Sequence, residues 1–190
     1  MSGISVRMRC GALAAAVALA GCGGGVKYRP VSDVPVRVGK PYAVRGVTYV
    51  PAVDPAYDYL GYASWYGHES GSQTANGERF QPKAVTAAHT TLPLPSYVEV
   101  TSLETGRTIL VRVNDRGPFA GRGRIIDLSR GAAEQLGIGA TGHAPVRVRV
   151  VEPPEKDRRT LREGKEAPAR PTVDGRTLAN LRAQLSAQGR

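Results

Sequence analysis

Cysteine is nearly absent from this chain. Among 190 residues there are two, Cys10 and Cys22. Past position 22 no thiol is available for a disulfide, a thiolate zinc site or a cysteine nucleophile. Histidine is scarce too. His68, His89 and His143 stand far apart with no HExxH spacing, so no metal centre is expected. No nucleophile elbow or phosphate loop occurs, and Gly71 and Gly77 match no dinucleotide fingerprint, so no cofactor is expected. The one apolar run near the start, Gly11 to Ala20, is too short to span a bilayer. The formal charge of +10 is spread along the chain. No Lys/Arg run falls on an expected helix, which argues against a nucleic-acid partner. A mild positive balance suits an anionic polymer or a membrane surface.

What the chain does have begins with an address. Arg7 and Arg9 precede the short apolar run, and small residues follow it; together these read as a secretory signal over residues 1–21. Leu19-Ala20-Gly21-Cys22 resembles a bacterial lipobox. That resemblance implies cleavage before Cys22, acylation of its thiol and of its new amino group, and a stable membrane partner through several acyl chains. The alternatives are a plain signal peptide with a chance cysteine, or an uncleaved anchor. Gly23 stands where an Asp would signal inner-membrane retention in enteric bacteria. The expected location is therefore the periplasmic face of the outer membrane. Residues 22–59 hold a Gly triplet and five prolines between Pro30 and Pro55, which reads as an extended tether.

A domain is expected over residues 60–152. Six short strands are predicted: Gly61–Tyr66, Ala84–Ala87, Tyr97–Ser102, Thr108–Val113, Arg124–Asp127 and Pro145–Val151. Val98 and Val100, then Ile109, Val111 and Val113, alternate with other residues as half-buried strands do. Val146, Val148 and Val150 alternate with Arg147 and Arg149. Glu104-Thr105-Gly106 reads as a hairpin turn. Ser129 reads as the N-cap of one short helix, with Ala132, Ala133 and Leu136 buried and Gly137 as its stop. So many short strands in about ninety residues imply an all-β closed barrel, because closure removes exposed edges. The remaining residues, 153–190, are charged and read as a disordered tail. Leu178, Leu181 and Leu185 have helical spacing there, but a lone helix of that length frays.

With metals, thiols and phosphate loops set aside, carboxylates and one histidine remain. On a secreted domain, carboxylates point to cleavage of a glycosidic bond. A carboxyl shielded from water keeps its proton near neutral pH and can protonate a leaving oxygen.

Five motifs stand in fixed order: ASWYG from Ala63, TANGE ending at Glu78, TAAHTTLPLP from Thr86, VNDRGPF ending at Phe119, and IDLS with Asp127. In this order they resemble the rare lipoprotein A (RlpA) family of bacterial lytic transglycosylases. The resemblance covers about Gly61 to Val151. It implies a double-psi β-barrel, a fold shared with expansins, and peptidoglycan glycan strands as the partner. It implies cleavage between N-acetylmuramic acid and N-acetylglucosamine to leave a 1,6-anhydro end. It places function on Glu78 and Asp115, with His89 in the same groove. Asp115 is then the acid/base, Glu78 the residue that tunes it, and His89 a hydrogen-bond partner, the two carboxylates facing each other across an open cleft. The other readings are that Asp115 fixes its own turn, that Glu78 is a solvated turn residue, and that His89 is structural. Trp65, Tyr66, Asn76, Asn114, Arg116 and Asp127 are the candidate substrate ligands. Against this, Trp65 reads as partly core, Asn76 and Asn114 as turn residues, and Asp127 as a helix cap. Arg112 joins Arg116 as a candidate for anionic glycan groups. The rival in another class is a non-catalytic, expansin-like wall-binding protein. Many family members carry a C-terminal glycan-binding module, and Glu152 to Arg190 does not resemble it.

Overall fold

The computed structural model describes residues 27–66 and 71–188. The expected signal peptide, Cys22 and His68 lie outside the described residues. The first elements are β1 (Tyr42–Val44) and β2 (Val47–Tyr49), an antiparallel pair. They are joined by Arg45-Gly46 with φ of 52° and 80°, the left-handed pair that a tight hairpin turn requires.

Six strands follow: β3 (Asp58–Tyr66), β4 (Thr86–Ala88), β5 (Ser96–Ser102), β6 (Thr108–Asp115), β7 (Arg124–Ser129) and β8 (His143–Val150). They close into a barrel in the order β3-β7-β4-β6-β5-β8. The pairs β3/β7 and β4/β6 are parallel; the other neighbours are antiparallel. All six strands read from the sequence are present, with shifts of a few residues at their ends. The alternation has its expected result: Val146 and Val148 are fully buried while Arg147 and Arg149 face outward. Strand β6 departs from it, being buried on both faces from Thr108 to Asn114. The reason is that helices cover its outer face, as they do in sheets buried on both sides.

One of those helices is α1 (Arg130–Leu136). Ser129 Oγ accepts from the Ala132 amide, and Gly137 ends the helix at φ 88°, as its sequence predicts. A Cβ at Gly131 would stand 2.1 Å from the Lys83 carbonyl oxygen. Only glycine lets this helix lie so close to the loop before β4.

The tail differs from its reading. Instead of a disordered segment, it carries α2 (Glu155–Arg162) and α3 (Gly175–Gln188). Its apolar residues are few, but its leucines are used. Leu161 is 2% exposed and belongs to the main core, and Leu178 and Leu181 bury Leu103. Its charges are spent on the barrel as well. Arg170 pairs with Glu99 and Asp157, and Arg182 donates to the Leu103 and Glu104 carbonyls. Composition counted these charges as solvated, whereas the fold gives them partners.

The described part of the proline-rich segment also lies along the barrel. The Arg29 amide donates to the Gly77 carbonyl, Arg37 and Leu94 exchange two backbone hydrogen bonds, and the Ala52 amide donates to the Thr91 carbonyl.

Candidate active site

Strand β6 is the axis of the site, because consecutive residues at its end point to opposite sides. Arg112 and Asn114 turn one way and Asp115 the other.

On the first side lies Glu78, only 1% exposed. Arg112 grips it with Nη1 to Oε2 at 2.7 Å and Nη2 to Oε1 at 2.8 Å. Asn76 Nδ2 donates to Oε1 at 2.9 Å, and Asn114 Nδ2 donates to Oε2 at 2.8 Å. Burial alone would raise this carboxyl. The Arg112 guanidinium and the two amides outweigh it and hold Glu78 below the usual carboxylate range. Arg112 Nε also bonds Asp33, which accepts from Tyr97 and pairs with Arg162 of α2. Asp33 is likewise held low: its partners Tyr97, Arg112 and Arg162 override its burial. Glu78 is thus a saturated anchor rather than a groove residue. Asn76 and Asn114, expected as sugar ligands, are spent on holding it. Arg112, expected to meet anionic glycan, is 1% exposed and faces inward.

On the other side is a cleft of about 300 Å3 lined by Tyr66, Gln73, Ala88, Asp115, Arg116, Gly117, Phe119 and Asp127. Asp115 Oδ1 accepts the amides of Ala75 and Arg116, each at 2.8 Å. Its Oδ2 takes no hydrogen bond from the described residues. Burial raises the Asp115 carboxyl above its ordinary value, against the pull of the two amides and of Arg116. The result is a carboxyl fixed by one oxygen and biased toward holding a proton on the other.

Asp127 faces the same cleft with different partners. Arg124 binds both its oxygens, and Ser64 Oγ donates to Oδ1 at 2.8 Å. It is an ion-paired carboxylate and not the cap of α1, a role that Ser129 fills. Tyr66 packs on Phe80 with ring centroids 5.1 Å apart. Burial pushes its hydroxyl well up, and the charges of Asp115 and Asp127 add to that. The hydroxyl touches Thr86 without hydrogen-bond geometry and has no other partner among the described residues. A protonated donor thus stands beside two carboxyls. Arg116 gives its guanidinium to the carbonyls of His89, Leu92 and Val38. Its charge borders the cleft without a direct carboxylate partner among the described residues.

Two further expected site residues are elsewhere. His89 is 2% exposed. Its Nδ1 accepts from the Thr91 and Leu92 amides, and Nε2 meets the Tyr57 hydroxyl at 2.9 Å. Burial and the nearby Arg116 push it down to about 3, so it is a neutral ring that shapes the loop after β4. Trp65 precedes Tyr66 on β3 and so points to the opposite side, where it lines a separate pocket with Gly137, Gly139 and Ala140. The expected face-to-face pairing of Glu78 and Asp115 therefore does not occur. The shared cleft joins Asp115 to Asp127, with Tyr66 and Arg116 at its walls. Sequence reasoning missed Arg124, Ser64, Gln73 and Asp33. Phe119 and Ser64 were visible inside VNDRGPF and ASWYG; Arg124 is brought in by strand register and Gln73 and Asp33 by loops, which no local motif records.

Two parallel strand pairs interlaced in a closed six-stranded barrel, with carboxyls at the ends of β6 and β7, define a double-psi β-barrel protein. A family model described as "Lytic transglycolase" matches residues 59–148. Proteins named endolytic peptidoglycan transglycosylase RlpA are similar over longer stretches. The one from Pseudomonas aeruginosa (strain UCBPP-PA14) is 54% identical over 115 residues, 60% of this chain and 33% of that protein. The one from Campylobacter jejuni is 50% identical over 127 residues, 66% of this chain and 46% of that protein. The chain thus spans about a third to a half of the relatives it matches. Among solved structures, Streptomyces papain inhibitor aligns at TM-score 0.43 and 24% identity, covering 53% of this chain and all of that one. An expansin from Clavibacter michiganensis aligns at TM-score 0.40 and 20% identity, covering 52% of each. Over its barrel, this chain is similar to the lytic transglycosylases of the RlpA family.

Proposed function

We propose that this chain is an endolytic lytic transglycosylase of peptidoglycan glycan strands, with Asp115 as its single acid/base. The observation that carries this reading is the asymmetry of that carboxyl: one oxygen pinned by two amides, the other bare in the cleft, the proton favoured by burial. Asp115 gives its proton to the oxygen linking N-acetylmuramic acid to N-acetylglucosamine. As that bond breaks, the 6-hydroxyl of the muramic sugar bonds to its own anomeric carbon, and Asp115 takes the hydroxyl's proton. Protons balance, no water enters, and the sugar keeps a 1,6-anhydro ring. Asp127, held by Arg124, places negative charge near the positive charge developing on the sugar ring.

Mass analysis of the soluble products from sacculi and from peptide-free glycan tests this reading. Fragments lighter by one water than hydrolysis products are expected. Ordinary reducing ends would make the enzyme a hydrolase, and binding without any new ends would make the chain a non-catalytic wall-binding protein. Support for delivery comes from the LAGC motif. Cys22 is proposed to carry the lipid and to hold the barrel at the periplasmic face of the outer membrane. Wild-type chain should incorporate labelled palmitate in cells and Cys22→Ala should not; equal labelling of both would discard the anchor.

A further inference from the structure

We propose that the β1–β2 hairpin extends the Asp115 cleft into an additional sugar subsite, with Tyr49 and Tyr42 as its aromatic platform. The inference rests on the glycan reading given above and adds a specificity element outside the family-matched region, residues 59–148. Phe119 lines the cleft and is the link. The Tyr49 ring meets it at 5.7 Å between centroids, the Tyr42 ring at 6.1 Å, both edge-on. The two tyrosines stack on each other at 5.4 Å and 23°. Tyr42 is pinned by its hydroxyl to the Thr90 carbonyl at 2.7 Å, and the chain just before it is tied to the cleft by Arg116 Nη2 on the Val38 carbonyl at 3.1 Å. The hairpin is therefore docked against two cleft residues.

These three rings are partly exposed and belong to neither hydrophobic core. Packing does not account for them. A pyranose ring has an apolar C–H face that lies well on an aromatic face, with its hydroxyls at the wet edge, where tyrosine keeps its own polar tip. Charge agrees. Between Pro35 and Asp54 the segment holds Arg37, Lys40 and Arg45 and no acidic residue, which suits a glycan bearing the lactyl carboxylates of muramic acid.

The test uses the full chain with Asp115→Asn, so that bound glycan stays intact, and titrates it with peptide-free di-, tetra- and octasaccharides of the strand. Two further variants are compared in that background: Tyr49→Leu keeps bulk without the ring, and Tyr49→Phe keeps the ring. Affinity should rise from tetra- to octasaccharide in the parent. Tyr49→Leu should lose that rise, about two- to tenfold, with tetrasaccharide affinity unchanged as the internal check on folding; Tyr49→Phe should retain it. If Tyr49→Leu binds every length as the parent does, or weakens all lengths alike, the subsite is refuted. A parent that binds with no gain in length also refutes the subsite but leaves the glycan reading intact. A parent that binds no glycan overturns both.

Discussion

Asp115 and Glu78 lie close together through the Ala75–Asn76 loop, yet their surroundings drive their protons in opposite directions. Glu78 has four donated hydrogen bonds, two of them from a guanidinium; Asp115 has two amides on one oxygen and burial. Their substitutions should therefore fail differently. Asp115→Asn keeps the shape and removes the exchangeable proton. Cleavage should drop about 10²–10⁴-fold, measured as released anhydro ends, with an unchanged melting temperature. Glu78→Gln leaves Arg112 short of its partner in a buried place. It should destabilise the barrel by about 3–5 kcal/mol, read by urea unfolding, and any loss of activity should follow the loss of folded protein. Equal stability of Glu78→Gln and wild type would return Glu78 to the catalytic list. In the proposed mechanism Asp115 acts first as an acid, and burial raises its pKa, so turnover should decline as pH climbs through that raised value, and Asp115→Asn should flatten the decline.

At the level of elements, the barrel strands were legible in the sequence because valine alternation and turn residues are local signals. The Ser129 cap and the Gly137 stop were legible for the same reason. The tail was not, because α2 offers few apolar residues and its place is set by a single leucine and several arginine pairs that only the fold supplies. The same limit affected the site. TANGE and VNDRGPF were visible as motifs, but whether Glu78 faces in or out depends on Arg112, 34 residues away. Trp65 and Tyr66 were both read as substrate ligands of one site, although strand alternation sends adjacent side chains apart. Leu161 offers the direct check on the tail. Leu161→Ala should cost about 2–4 kcal/mol and lower the melting temperature by about 5–10 °C. A shift within error would mean that α2 does not seal the outer face of β6.

For the whole molecule, the ionisable groups make one joint statement about acid. Glu78 and Asp33 have depressed pKa values, so their contribution is in place above the ordinary values of 4.5 and 3.8 and disappears as pH falls through their lowered ones. His89, pushed down from 6.5 to about 3 by burial, acts in the same sense: between those values the unfolded chain takes up a proton that the native ring refuses. Asp115, raised, opposes them over a window just above 3.8. Urea midpoints should therefore climb from about pH 3 to about pH 6.5 and then level. His89→Gln, which does not titrate, should remove the upper part of that climb; a midpoint independent of pH below 6.5 would contradict the neutral, buried His89.

The docking of the proline-rich segment has a consequence for reach. From Arg29 onward the chain is fastened along the barrel, so it is not free to act as a leash. If Cys22 carries the lipid, only the links from 22 to 29 separate the acyl chains from the first backbone-to-backbone hydrogen bond to the barrel among the described residues. However they are arranged, seven links span at most about 25 Å. The enzyme would then work on a short radius, grazing the strands of the wall nearest its own membrane, and sacculus layers farther out would have to come to it.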